Sequence, residues 1–421
     1  MRLGFGWLMG VAAIGCADPG RSQATTDASS DLGDLADTAL PPTDTVSDTR
    51  EDDLDSDTAR DSGPSPDDVR DTFASDTIAG DTIASDTTSS DTTPGDTTAG
   101  DTGAPLDLSC LGESVPLVLA GDLPYVEVRI GAAKGYFLVD FASTYSTIDP
   151  RGFTGGTPQP VAGTSDRYAG FSFFGDWGTV RLASADYACF GGAVRQAGIL
   201  GTDFLSLDVY SVYWARSGAR AATAVRDALG PEPLLIRGTA AFCDDPELAG
   251  AGLAAASTEG WYSNELADVG SRPNVPILPT ALLGEVVPAQ VDTGYGDSLV
   301  RHAVNANRAA FDRLPRALER VPARDLTLTT CVPGVNETVL AHRLPADAPL
   351  AFTASLTSAA GLVSFADAII YLKDTPAAAR SCGGIGTWST PAAQLGVSFT
   401  ADLGLVVFDP LSARLWVPAP R

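Results

Sequence analysis

Two stretches of the chain, Val126–Ile148 (VEVRIGAAKGYFLVDFASTYSTI) and Leu282–Val300 (LLGEVVPAQVDTGYGDSLV), follow one plan although few of their letters agree. Each has a glycine turn, an apolar strand ending Val-Asp, and then a second turn. Ser146 and Ile148 follow Asp140 at the same spacings at which Ser298 and Val300 follow Asp292. Later in each half an apolar-Gly step precedes a pair of strand-like runs: GILGTDFLSLDVYSVYWA (Gly198–Ala215) and AQLGVSFTADLGLVVFDPLSARLWV (Ala393–Val417). The chain therefore reads as an internal repeat in which each copy carries one strand-end aspartate, Asp140 or Asp292.

The rest of the region from about Leu106 onward supports that reading. Short runs with alternating apolar residues recur at Val126–Ile130, Tyr136–Val139, Phe171–Phe173, Val209–Tyr213, Leu326–Leu328, Leu405–Phe408 and Arg414–Val417. Turns rich in Gly, Pro and Asp separate them, a pattern that predicts a mainly β fold. Helices are expected at Ala221–Leu229 and Ala303–Leu318 (AVNANRAAFDRLPRAL). The Ala-, Gly- and Pro-rich span Ala215–Arg272 is expected to hold the boundary between two units, placed at 106–240 and 241–421.

The paired Val-Asp turns, the intact Asp292-Thr293-Gly294 and the Ile199-Leu200-Gly201 and Leu395-Gly396 steps resemble the pepsin-like, bilobal aspartic proteases. The resemblance covers most of residues 107–421. It implies two pseudo-symmetric lobes of the six-stranded, acid-protease barrel type with a few short helices. It also implies a peptide or protein substrate hydrolysed by water that Asp140 and Asp292 activate, with neither metal nor cofactor. Two carboxylates in contact cannot both ionise cheaply, so one pKa rises and the pair shares a proton. In the family the Thr after each aspartate locks the two loops together, and the next residue turns a backbone N–H onto the carboxylate. Thr293 and Gly294 meet both demands; Phe141 lacks the hydroxyl, while Ala142 keeps its N–H. Ser143 matches the family's hydroxyl three residues after the aspartate, which bonds the outer carboxylate oxygen, and Tyr295 replaces it in the second copy. A catalytically impaired relative that only binds peptides is the alternative these departures raise. The plain alternative for Asp140 is a strand-end acid capping a turn.

Other candidates carry less. Asp101-Thr102-Gly103-Ala104 spells a better match than FLVDFAS does, yet it is one copy of a pentapeptide that recurs every five residues from Asp71 to Asp101, with no strand before it. Ser298 and His302 lie on one segment without an evident oxyanion turn. Asp149, Asp203, Asp297 and Asp409 read as turn or surface acids. A hairpin at Phe171–Gly178 (FSFFGDWG) could cover a substrate with Trp177 or Tyr168, or simply pack in the core.

The chain opens MRLGFGWLMGVAAIGC, with an apolar run too short to span a bilayer, which predicts a signal peptide over 1–15. Small residues before Cys16 resemble the lipobox of bacterial lipoproteins, which implies lipidation of Cys16 and a membrane anchor in the cell envelope, with Ala17 favouring the outer membrane. An ordinary secretory signal is the alternative. Residues 16–105 read as a disordered tether ending in the 71–105 repeats, because so few apolar residues cannot offset the entropy of ordering. Such a coil reaches on the order of 50 Å, and its charge extends it further.

The formal charge of −26 belongs mostly to that segment: residues 17–106 carry 22 acidic and 4 basic residues, against 31 and 22 in residues 107–421. An acidic chain of this kind is not expected to bind nucleic acid, and a monomer is expected. Cys110, Cys189, Cys243, Cys331 and Cys382 match no metal-binding spacing, and there are only two histidines, His302 and His342. Export favours disulfides. Spacing does not choose their connectivity; Cys331 with Cys382 is the first expectation.

Overall fold

A computed structural model describes residues 106–187, 193–221, 223–258, 275–297, 300–330, 332–358 and 360–419. The expected signal peptide, tether and lipidated Cys16 lie outside these residues, as do Cys189, Ser298 and Cys331. The described chain is mainly β, with short helices and two large sheets. Among the described residues no helix is long and apolar enough to cross a membrane.

The local plan read from the sequence is present twice. Leu123–Ile130 and Ala133–Val139 form one antiparallel hairpin, and Ile277–Leu282 and Glu285–Val291 form the other. Each second strand buries alternate residues before ending in a fully buried stretch, as strands covered on one and then both faces do. Ala133–Val139 then pairs parallel with Gln196–Leu200, matching Val139 to Leu200. Glu285–Val291 pairs parallel with Ala393–Leu395, matching Val291 to Leu395. A third strand completes each set from the far side, antiparallel: Thr147–Ile148 in the first and Ala303–Asn307 in the second. Each aspartate thus leaves its sheet at the same point of the same three-strand pattern.

The two copies belong to different sheets, but the first sheet recruits strands from the far end of the described chain. Its order runs through Leu253–Ser257, Arg414–Pro418, Leu405–Asp409, Tyr210–Tyr213, Leu234–Arg237 and Glu113–Ala120 before reaching the first hairpin. Tyr210 lies opposite Phe408 in that sheet. The expected boundary at 240/241 falls between Leu234–Arg237 and Leu253–Ser257, two strands of this one sheet. One hydrophobic core joins Val139, Phe141 and Leu200 to Val291, Leu395 and Phe408.

The helix expected over Ala303–Leu318 is a correction. Ala303–Asn307 is a strand, buried at every residue and paired on both edges, and only Arg308–Phe311 is helical. Asn307 marks the change: its Oδ1 accepts the Ala310 N–H at 2.9 Å, capping the helix, so the residues before it are free to be extended. The helix expected at Ala221–Leu229 is found as Thr223–Leu229.

A disulfide joins Cys110 to Cys243, tying the start of the described region to residues beyond the Leu234–Arg237 strand. It was not the first expectation, and with Cys331 outside the described residues that expectation has no counterpart to compare. Replacing Cys110 and Cys243 by Ser should lower unfolding stability by about 2–5 kcal/mol, because the cross-link restricts the unfolded chain. A denaturant titration of the variant against wild type measures this.

Candidate active site

The two aspartates are held by matching bonds. The backbone N–H groups of Asp140 and Asp292 donate to the carbonyls of Leu200 and Leu395, each at 3.0 Å. The Oδ1 of Asp140 accepts the Ala142 N–H, and the Oδ1 of Asp292 accepts the Gly294 N–H, each at 2.8 Å. Each carboxyl is thus anchored by the same pair of backbone contacts. The two carboxyls also lie within hydrogen-bonding reach of each other.

Close approach of the loops depends on Gly294. A Cβ built there would lie 2.6 Å from Asp140 Oδ2, well inside any permitted contact. The Gly294 N–H, bonded to Asp292, lies near enough to Asp140 to favour its charge as well. Behind the first loop Gly201 does similar service: its Cβ would sit 2.8 Å from the carbonyl oxygens of Ser143 and Tyr145.

Thr293 joins the loops. Its buried hydroxyl donates to the Val139 carbonyl at 2.7 Å and accepts the Phe141 N–H at 3.1 Å. Phe141 offers no hydroxyl in return. Its ring is completely buried and stacks on Phe408, centroids 3.7 Å apart and planes 9° from parallel. The position after Asp140 is therefore filled by packing where the position after Asp292 is filled by a hydrogen bond.

Ser143 requires a correction. Its hydroxyl donates to the Tyr145 carbonyl at 2.8 Å instead of to the outer oxygen of Asp140. The Ser143 backbone N–H helps stabilise the Asp140 charge. The Tyr295 phenol likewise turns from Asp292 and lies within hydrogen-bonding reach of the Asn305 side chain.

Electrostatics separates the pair. Burial pushes the Asp140 carboxyl up to about 6, opposed by the N–H groups of Ala142, Ser143 and Gly294 and by its contact with Asp292. Asp292 is pushed well above the usual carboxylate range, first by burial and next by the negative charge of Asp140. Asp292 is only 3 % exposed, whereas Asp140 keeps part of its surface open. Both carboxyls are therefore raised, and the pair as a whole holds one proton across the interval between its two titration steps.

Two residues of the site escaped the sequence reading. Gln394 donates from Nε2 to Asp292 Oδ2 at 2.5 Å. Its only sequence signal is a polar letter in the apolar step before Gly396. Asp203, read as a turn or surface acid, accepts the Ser146 N–H at 2.9 Å and the Ser146 hydroxyl at 2.7 Å. Ser146 Oγ in turn accepts the Gly201 N–H at 2.9 Å, which ties the first loop to the glycine beneath it. Asp149 is likewise no surface acid: it is buried, capping a short turn and accepting from Arg151 and the Tyr187 N–H. Asp409 and Asp297 each accept backbone N–H groups of the residues just after them.

The remaining candidates lie elsewhere. His302 is buried with Nδ1 2.6 Å from Asp367 Oδ1 and Nε2 2.9 Å from Asp402 Oδ2, so both ring nitrogens already face carboxylates. Trp177, half-buried, stacks on Phe173 and its Nε1 donates to the Phe173 carbonyl, so it packs against the core in which Tyr168 is buried. Among the described residues, Cys110, Cys243 and Glu247 are the one cluster with metal-ligand spacing. Its two sulfurs are bonded to each other, and Glu247 completes a capping box with Asp244.

The chain matches no protein-family model and no curated protein sequence.

Two outcomes follow from this geometry. Phe141→Thr supplies the missing hydroxyl but empties the space against Phe408, and should cost about 3 kcal/mol of unfolding stability by denaturant titration. The raised carboxyls also set a pH dependence. A carboxyl whose folded pKa exceeds its unfolded value of 3.8 binds its proton more tightly when folded. Stability should therefore fall as pH rises from about 4 through about 6. Relative to Asp140→Asn/Asp292→Asn, wild type should lose ground over that interval, as thermal denaturation at each pH will measure.

Proposed function

We propose that the chain is an exported, lipid-anchored aspartic peptidase with two pseudo-symmetric lobes, in which Asp140 and Asp292 activate water to hydrolyse a peptide bond. The observation that carries this reading is the contact between two carboxyls that leave equivalent points of a repeated three-strand pattern. The shared Gly294 N–H and the Thr293 bridge support it, since both serve to hold like-charged groups together.

In this reading Asp140, ionised and partly open, takes a proton from water as its oxygen attacks the substrate carbonyl carbon. Asp292 delivers its proton to the carbonyl oxygen, giving a tetrahedral diol. Collapse of the diol breaks the C–N bond: the proton held by Asp140 passes to the leaving amine, and one diol hydroxyl returns its proton to Asp292 as the new C=O forms. The products are a carboxylic acid and an amine, and the pair returns to its singly protonated state. That state exists between the two titration steps of the pair, so activity should rise as pH increases through about 6 and fall above the upper step.

A second reading, a protein that binds peptides without cleaving them, has one observation in its favour. Phe141 leaves Thr293 as the one residue of the matching pair that brings a hydroxyl across the loops, and a looser site loses rate steeply. A peptide library assayed from acid to neutral pH separates the two. The peptidase reading expects cleavage by wild type that falls by at least about 10²-fold in Asp292→Asn, the scale of lost acid–base catalysis. Equal cleavage by the two proteins overturns it, and binding without cleavage by either favours the second reading.

A further inference from the structure

We propose that Gln394 is a positioning residue for the proposed catalytic pair, holding the outer oxygen of Asp292 in place of the hydroxyl that Tyr295 does not bring there. The inference rests on the reading of Asp140 and Asp292 as a working pair.

Gln394 lies in Ala393–Leu395, the strand that pairs parallel with the Asp292 strand, opposite Gln290. The equivalent register position in the first copy, opposite Leu138, is Ile199. An apolar residue therefore satisfies the fold here, and a buried amide needs a reason, because polar groups cost free energy inside unless partnered. Both ends of Gln394 have partners. Its Oε1 accepts from Asn305 Nδ2 at 2.9 Å, and its Nε2 faces Asp292 Oδ2. Asn305 is the cross-strand neighbour of Gln394, is itself buried, and lies within reach of the Tyr295 phenol. Tyr295, Asn305 and Gln394 thus form a chain that ends on the one Asp292 oxygen not bonded to Gly294.

The chemistry of the bond sets its effect. An N–H that donates to a carboxylate favours the ionised form. The Gln394 bond therefore acts against the influences that hold the Asp292 proton: burial, the charge of Asp140 and the contact with its carboxyl. Other titratable groups face the neighbourhood: Tyr187 on the Asp140 side, and Asp297 and Tyr371 around the Tyr295 phenol.

The test is a carbon-13 titration of the aspartate carboxyls by NMR in the full-length chain, which reads the pair without any substrate. In wild type two raised, coupled steps are expected. In Gln394→Leu the upper step should move up by about one pH unit or more, as expected on losing a hydrogen bond to a charged group, with the lower step nearly unchanged. Asn305→Ala frees Gln394 without touching the carboxyl and should move the upper step the same way by less; it decides the matter if Gln394→Leu does not fold. Raised steps that keep their wild-type positions in the folded variant overturn the role of Gln394 and leave the pair standing. Two ordinary carboxylate titrations in wild type overturn the pair, and this inference with it.

Discussion

Two carboxyls in contact repel unless one keeps its proton, and the loops that carry them must be held together against that repulsion. Here the holding falls on a few short-range contacts: one threonine hydroxyl, one glycine N–H and the absence of a side chain at Gly294. The surrounding strands exist in the right places because Val139 and Val291 are pinned to Leu200 and Leu395. The apolar core then keeps water away from all but part of Asp140, and that exclusion raises both carboxyls.

The two halves solve the same local problem with different residues. After Asp292 a hydroxyl reaches across to the other loop; after Asp140 an aromatic ring is pressed against Phe408. The outer oxygen of Asp292 meets Gln394, and the matching position of the first copy is the apolar Ile199. Repeated geometry with unrepeated chemistry gives two like carboxyls different surroundings.

Much of the strand content was legible because period-two alternation survives in a single sequence: Leu123–Ile130, Ala133–Val139 and Leu405–Asp409 stand where apolar residues alternate or cluster. The alignment of Asp140 with Asp292 was legible too, since spacing around a turn is a local property. Ala303–Asn307 was not, because alanine and asparagine carry no period and the capping role of Asn307 is visible only once the helix is seen. Partnerships across the chain were out of reach for a different reason. Nothing local in Phe141 points to Phe408, in Ser146 to Asp203, or in Gln394 to Asp292.

The stack of Phe141 on Phe408 has a temporal side. The floor beneath the first aspartate's loop is supplied by a strand, Leu405–Asp409, that is synthesised after both aspartates and after every strand of the second copy's three-strand pattern. A chain that emerges from its N-terminus can form its first hairpin early, but the ring of Phe141 lacks its stacking partner until that late strand pairs with Tyr210–Tyr213. Assembly of the carboxyl pair is thereby postponed until nearly the whole described chain has been made.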